Sequence, residues 1–375
     1  MKLKRSNKEP EGSIALAEAE ALQQKGEKKR GQEAIGILQQ ASARFRDAIS
    51  MGLPSEDELH DARFGSAWCL ALCAEATKAA ADALPDHLIS RKKDVEAKHV
   101  ALRLYSQAVA EYKQVLDSYG KVRSDAAVNA GNALCAVAEL LVSSNSHGSR
   151  STLTEVCTAE VQAYEEARHL YQSALTRTGY EDSNNQGCST SRSVDEEGEQ
   201  DADTWCNLAD CLMSYAQLLT DRKASLPQER QGEAAALCQA ALQAYEQACA
   251  VSDSSHGDDL PGLLCNWGSG LIAAALMTEP PRIELLHQAI SQLQHSASFS
   301  RADTAPLNRL GDAWVHLAEL AEAAMVHEEA KLMFTKALEE GYGRALAINR
   351  MDPEALDREL SPLVEALVVL ALSVF

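Results

Sequence analysis

The sequence predicts an all-α protein in which helical hairpins follow one another along the chain. Alanine and leucine are abundant among its 375 residues, aromatic residues make up only 5%, and there are ten prolines. This composition favours closely packed helices, because sheets are usually richer in aromatic and β-branched residues. Two short motifs also alternate along the chain with helical spacing, which predicts repeated helix pairs.

The first motif predicts the first helix of each pair. An apolar residue is followed by glycine or alanine, two small residues and then tryptophan or leucine. Its copies are FGSAW at 64–68, AGNAL at 130–134, LADCL at 208–212, WGSGL at 267–271 and LGDAW at 310–314. We expect the glycine or alanine to let a neighbouring helix approach closely.

The second motif predicts the second helix and places a large residue four positions after an alanine. A small or β-branched residue follows three positions later, so all three share one helical face. The large residue should fill the space left by the first motif, and successive hairpins must stack to bury both faces. The copies are Ala41/Phe45/Ala48, Ala108/Tyr112/Val115, Ala167/Tyr171/Ala174, Ala241/Tyr245/Ala248, Ala289/Leu293/Ser296 and Ala330/Phe334/Ala337.

These motifs resemble the tetratricopeptide repeat (TPR) family. Trp205-x2-Leu208-Ala209-x2-Leu212 is similar to the family's first-helix pattern, and Ala330-x3-Phe334-x2-Ala337 matches its second-helix pattern in residue type. The resemblance covers about residues 31–350 and implies a right-handed α-α superhelix, a TPR-like solenoid. The two motifs of one repeat stand further apart than a unit of about 34 residues allows, so long helices and inserted loops are expected.

Three segments lie outside this repeat pattern. We expect residues 1–30 to form a polar N-terminal segment without a secretory signal. Residues 181–203 are rich in serine, glycine, asparagine and acids and predict a disordered acidic insertion within the repeats, or an acidic docking segment. Residues 351–375 end in an apolar stretch that predicts a C-terminal capping helix, with binding of a partner as the alternative.

Charge and cysteine usage restrict the possible partners and compartments. The net charge of −20 repels phosphate backbones, so nucleic-acid binding is not expected, and a protein partner should be neutral or basic. No apolar run approaches the ~20 residues of a membrane span. The ten cysteines form no CxxC pattern and predict reduced thiols in an intracellular compartment. We expect a cytoplasmic protein. Residues 257–271 look like plant and algal plastid TPR proteins, which makes the plastid stroma the alternative.

The sequence contains no motif for catalysis or for binding a cofactor or metal. It has no G-x-x-x-x-G-K-[ST] loop and no HExxH helix, and no pair of carboxylates stands out. We therefore predict a non-enzymatic scaffold that binds a peptide segment or helix and assists the assembly or regulation of a complex. The alternatives are a structural subunit docked through its apolar C-terminus, and a ligand-binding protein or enzyme on the same scaffold.

The resemblance implies that the first helices line a concave groove. Polar residues flank each first motif there, and a side-chain amide can both donate to and accept from a peptide backbone. The candidate partner-binding residues are Arg63, Asn129, Asn132, Asn207, Asp210, Asn266, Ser269, Arg309 and Asp312. The alternative is that the asparagines satisfy backbone groups of neighbouring helices.

We do not expect a chaperone C-terminal tail to bind in this groove. In TPR proteins that bind such tails, lysine precedes asparagine or arginine by one helical turn. Only Asn132 fits the second position here, and no lysine accompanies it. Asp210 and Asp312 at the equivalent positions would repel a carboxylate.

Overall fold

A computed structural model describes residues 11–82, 91–118, 124–145, 153–178, 194–222, 230, 232–255, 259–278, 280–299 and 303–349. These residues form helices and short turns and contain no strand. The prediction of an all-α helical-repeat fold is therefore confirmed. The chain divides into two compact units, Met1–Gln186 and Gly187–Phe375, which are called unit 1 and unit 2 below.

Unit 1 contains three helical hairpins. They pair α1 with α2, α3 with α4 and α5 with α6, and α2 also packs on α3 and α4 on α5. The first helices contact each other as well, α1 with α3 and α3 with α5. The helices are α1 Glu11–Glu27, α2 Gly31–Met51, α3 Glu56–Asp82, α4 Arg91–Ser118, α5 Ser124–Asn145 and α6 Leu153–Thr178.

Unit 2 repeats this arrangement. It pairs α7 with α8, α9 with α10 and α11 with α12, and its first helices α7, α9 and α11 are in contact in sequence. The last hairpin continues through a π-helical turn, Ala337–Tyr342, into α13. The helices are α7 Val194–Asp221, α8 Glu233–Ser255, α9 Leu260–Leu276, α10 Ile283–Phe299, α11 Ala305–Ala323, α12 His327–Lys336 and α13 Gly343–Asn349.

Proline and glycine set several of the helix ends. Pro261 and Pro306 stand in the first turns of α9 and α11, where a missing backbone N–H leaves no helical hydrogen bond unmade. Gly52 ends α2 with a φ of 82°, a left-handed conformation that glycine adopts without steric cost.

The two sequence motifs meet at the contacts between helices. A Cβ built on Gly131 of α5 would stand 2.7 Å from the Tyr171 ring of α6, and one on Gly268 would stand 2.6 Å from Leu293 of α10. Each glycine therefore makes room for the large residue of its own hairpin.

The same kind of contact also joins successive hairpins. Phe45 of α2 packs on Gly65 of α3 in the next hairpin, and Tyr245 of α8 packs on Gly270 of α9. Both rings are almost completely buried. Small first-helix positions therefore hold hairpins to one another as well as helix to helix.

The last hairpin departs from the predicted motif. Tyr342, at the end of the π-helical turn, covers Gly311, where a Cβ would lie 2.6 Å from its ring. Phe334 was expected there, but it is only half-buried. Gly341 packs directly against the backbone of Gly311, so these two backbone segments approach more closely than side chains would permit.

The segment boundaries also differ from the sequence prediction. Helix α1 lies within the predicted polar segment 1–30, and its buried Ala15, Leu16 and Ala19 belong to the face that packs against α2. The repeat array thus begins before residue 31. The final part of the predicted disordered insertion, residues 194–203, is the start of α7, and the rest of it, residues 181–193, lies outside the described residues. The predicted capping helix at 351–375 also lies outside them.

One stretch within the described ranges, Ser124–Ser143 of α5, is long and apolar enough to cross a membrane. A helix buried in the core of a helical bundle outside any membrane meets the same criterion. Helix α5 packs against both α4 and α6, and its Ala126, Ala130 and Leu140 are buried. The absence of a membrane span therefore stays a prediction.

Replacing Gly131 with alanine should destabilise unit 1 although alanine is the better helix former. We expect a loss of about 1–3 kcal/mol, because the new methyl group collides with the Tyr171 ring. Gly36 of α2 is the matched control, since nothing lies within 4 Å of its Cβ position. Gly36→Ala should add up to about 1 kcal/mol. Urea unfolding measures both, and equal effects of the two substitutions would contradict the packing role of Gly131.

Candidate interaction face

Polar residues occupy the same two positions on each first helix of unit 2, and the contacts of α9 with α7 and α11 bring them onto neighbouring helices. One residue stands two positions before the small residue of the first motif, and the other stands one position after it. This surface is called the unit 2 face and consists of Asn207 and Asp210 of α7, Asn266 and Ser269 of α9, and Arg309 and Asp312 of α11.

All six residues of the unit 2 face are at least partly exposed. The Asn266 amide donates to the Cys206 Sγ at 3.4 Å and so connects α9 to α7. Ser269 donates to the Cys265 carbonyl of its own helix. The structure therefore brings these predicted residues together, although part of their hydrogen-bonding capacity is used within the protein.

The candidates in unit 1 are more dispersed. Arg63 of α3 donates to the Ser118 Oγ at 3.0 Å. Asn129 donates to the Asp125 carbonyl within α5, and Asn132 lies exposed on the same helix. Among the described helices of unit 1, α5 alone thus carries two predicted residues on one helical face.

Tyrosines of the second helices hold the residue that follows the small position. The Tyr171 hydroxyl donates to the Asn132 Oδ1 at 2.6 Å. The Tyr245 hydroxyl donates to the Asp210 carboxylate in unit 2. Both pairs join the two helices of one hairpin, and the Tyr171 bond lies beside the contact of its ring with Gly131.

The last hairpin makes the same bond with a different tyrosine. The Tyr342 hydroxyl donates to the Asp312 Oδ1 at 2.6 Å, and Arg309 donates to the other carboxylate oxygen at 3.3 Å. Sequence reasoning assigned Asn132, Asp210 and Asp312 to partner binding and missed this internal role. For Asn132 and Asp210 the available signal was a tyrosine, Tyr171 or Tyr245, where the TPR pattern has phenylalanine, since a buried hydroxyl normally finds a partner. For Asp312 no such signal existed, because Tyr342 lies outside the motif.

Tyr112 is the exception among these tyrosines. Its ring is fully buried and packs edge-on against Phe64, with 5.6 Å between centroids. Its hydroxyl has no hydrogen-bond partner in the described part of the chain. The residue of α3 at the motif position of Asn132 and Asp210 is Ser66, which is shorter than asparagine or aspartate and shares a hydrogen bond with Ser42 of α2 at 3.1 Å.

Burial and nearby carboxylates keep these hydroxyls protonated. Burial raises the pKa of Tyr245 above its ordinary value, and the Asp210 charge raises it further. The pKa of Tyr342 is raised in the same way by burial and by its bond to Asp312. Each tyrosine therefore stays a donor, and each carboxylate is held in a fixed orientation at the surface.

Most of the charged residues on the exposed sides of α7 and α11 are acidic. They include Asp203 and Asp221 along α7 and Glu319 along α11. Asp210 and Asp312 add two further carboxylates, whereas Arg309 contributes a positive charge. The unit 2 face and its surroundings therefore attract cationic groups.

The described residues offer no group of three or more histidine, cysteine, aspartate or glutamate side chains that could hold a metal ion. Eight cysteines among the described residues form no disulfide bond. Burial raises the pKa of Cys73 to about 11 and that of Cys206 to about 12. Such thiols are protonated at neutral pH and make poor nucleophiles.

No protein-family model and no curated protein matches the chain. Solved structures with similar helices include the de novo designed repeat protein DHR64, which is 18% identical with a TM-score of 0.35 over 73% of this chain and 98% of its own. The S. pombe nuclear import adaptor Nro1 is 12% identical with a TM-score of 0.46 over 91% and 100%. Yeast Tom70 is 11% identical with a TM-score of 0.26 over 98% and 69%. None of the three supports the likeness of residues 257–271 to plant and algal proteins.

Removing the hydroxyl of Tyr245 or Tyr342 should destabilise unit 2. We expect Tyr245→Phe and Tyr342→Phe each to cost about 1 kcal/mol, since the carboxylates they hold are partly exposed and water replaces part of each bond. Tyr112→Phe is the control and should cost nothing or stabilise unit 1, because its hydroxyl has no partner. Urea unfolding compares the three, and a loss in Tyr112→Phe equal to the others would contradict the role of the bond.

The protein should lose stability at alkaline pH. Folding raises the pKa of Cys73 from 9.0 to about 11 and that of Cys206 from 9.0 to about 12, and it also raises the pKa of Tyr245. The folded state therefore holds protons that the unfolded chain releases, so this stability is complete below about pH 9 and is lost as the pH rises towards 12. Melting temperatures measured with reductant from pH 7 to pH 11 test this. A flat profile above pH 9 would contradict it.

Proposed function

We propose that this protein is a non-enzymatic interaction scaffold whose unit 2 face binds an extended, basic segment of another polypeptide. The observation that carries the proposal is the recurrence of exposed polar side chains at the same two positions of α7, α9 and α11. A surface periodic in this way suits a ligand that is itself periodic, such as a peptide backbone.

The amides of Asn207 and Asn266 supply donors and acceptors that a backbone can use without regard to its side chains. Packed helices stand about 8–10 Å apart, so an extended peptide at ~3.3 Å per residue crosses three of them in about six residues. The segment recognised should therefore be short.

The carboxylates supply the preference for basic side chains. Tyr245 and Tyr342 orient Asp210 and Asp312 before any partner arrives, which lowers the entropy lost on binding. The net charge of −20 adds long-range attraction for a basic partner, so the association rate should fall as salt rises.

The ten cysteines form no CxxC pattern, which is typical of reduced thiols in an intracellular compartment. We propose the cytoplasm, with the plastid stroma as the alternative. Assistance in the assembly or regulation of a complex is part of the same proposal. No observation favours a structural subunit that docks into a larger assembly through its apolar C-terminus, and none favours catalysis.

Reversing acidic charges beside the unit 2 face should weaken the binding of basic peptides. Asp221→Lys with Glu319→Lys changes two exposed acids of α7 and α11 beside the unit 2 face. Glu246→Lys with Glu284→Lys, on the exposed sides of α8 and α10, changes the net charge equally and is the control. We expect Kd to rise about fivefold to tenfold in the first variant alone, which corresponds to a loss of ~1–1.4 kcal/mol of binding free energy.

The measurement is fluorescence anisotropy with a set of labelled peptides of about ten residues that carry different net charges. Crosslinking and mass spectrometry then locate the bound peptide on the full chain. Equal weakening in both variants would reduce the effect to net charge. Crosslinks confined to α8 and α10 would place binding elsewhere, and either result would overturn the proposal.

A further inference from the structure

The last hairpin of unit 2 has a helical side that nothing in the described chain covers. In the same unit, α8 packs against the following α9, and α10 packs against the following α11. Within the described ranges α12 has no such successor, because α13 packs on α11 and on the π-helical turn. The side of α12 that would meet the next hairpin is therefore unpartnered.

Two residues define this terminal face, Phe334 and Leu338. At the position of Phe334, the large residues of α8 and α10 are Tyr245 and Leu293, which are 3% and 0% exposed. Phe334 itself is only half-buried. At the position of Leu338 the earlier helices carry Cys249 and Ala297, both buried, whereas Leu338 is 41% exposed.

The sequence of α12 confirms that it carries an excess of apolar surface. Leu332, on its outer side, is 58% exposed, and the equivalent residue of α8 is the polar Gln243. The half-buried Phe334 of α12 and the exposed Leu338 of the π-helical turn indicate a contact that the described residues do not supply. Leu332 stands two residues before Phe334 and therefore lies on the opposite side of the helix.

The chain leaves the described structure at the end where a covering helix would begin. Ala345 and Ile348 of α13 pack with Leu307, at the start of α11, and with Ala297 of α10. Helix α12 runs antiparallel to α11, as the bond of Tyr342 to Asp312 indicates. Asn349 therefore lies at the end of unit 2 where α9 follows α8 and where α11 follows α10.

The following sequence has the properties of such a helix. Ser361 and Pro362 form a typical helix start, with a capping side chain before a proline at the first helical position. Residues 362–375 (PLVEALVVLALSVF) contain one charged side chain, Glu365. As a helix they would extend about 21 Å, which is enough to run the length of α12.

We propose that residues 362–375 of this chain dock on the terminal face formed by Phe334 and Leu338 and take the place of a next first helix. The tether is short, since residues 350–361 are all that separate the segment from α13. Docking within one chain is therefore favoured over docking from another by effective concentration. This inference is independent of the proposed function.

Hydrogen exchange with mass spectrometry on the full chain tests the proposal. A helix of this length is marginal in water by itself, so protection of residues 362–375 requires docking. We expect their amides to exchange at least about tenfold more slowly than in an unfolded peptide, and Leu338→Glu to abolish that protection. Gln243→Glu, an exposed change on α8, should leave it intact.

A photo-crosslinking residue at position 338 provides the second measurement, with the same residue at position 243 as the control. We expect a crosslink from 338 to peptides within 362–375 of the same chain, at monomer mass. Unprotected amides would overturn the proposal, and so would protection that survives Leu338→Glu in a chain whose α10 is still protected. A crosslink only at dimer mass would assign the face to a second copy and would also overturn it.

Discussion

The fold depends on one recurring contact, in which a large side chain of a second helix packs over a first-helix position that has no side chain. Phe45 on Gly65, Tyr171 on Gly131 and Leu293 on Gly268 are instances of it. A ring buried in this way contributes roughly 2 kcal/mol of apolar burial and also sets the helix separation. Because the contact occurs both within hairpins and between them, the same pairing of small and large residues builds the hairpin and the array.

The tyrosine hydroxyls connect this packing to the surface. A phenylalanine would fill the same space, but Tyr171 and Tyr245 also reach the polar residue that follows the small position of the first helix. Since those polar residues lie on the exposed side of α5 and α7, the core and the candidate interaction face are joined by single hydrogen bonds. Surface side chains that would otherwise sample several rotamers are thereby fixed by residues of the interior.

The sequence motifs were sufficient to place the hairpins, because glycine against an aromatic residue is a local pattern with a direct packing meaning. They also placed Asn207 and Asn266 on an exposed stripe. They missed α1, whose only large buried side chain is Leu16 because Ile14 is exposed and Leu22 is only partly buried, so its periodicity is weak. They could not show that Tyr342 replaces Phe334, because a π-helical turn depends on tertiary contacts and has no sequence signature.

That π-helical turn has a consequence for the direction of the chain. A wider turn inserts a residue into the helical phase and rotates everything that follows by about 100°. Side chains beyond Tyr342 consequently face the start of α11 and the end of α10, where Ala345 and Ile348 pack with Leu307 and Ala297. The direction in which the backbone continues beyond Tyr342 is therefore set by the π-helical turn, and a regular α-helix over the same residues would point it elsewhere.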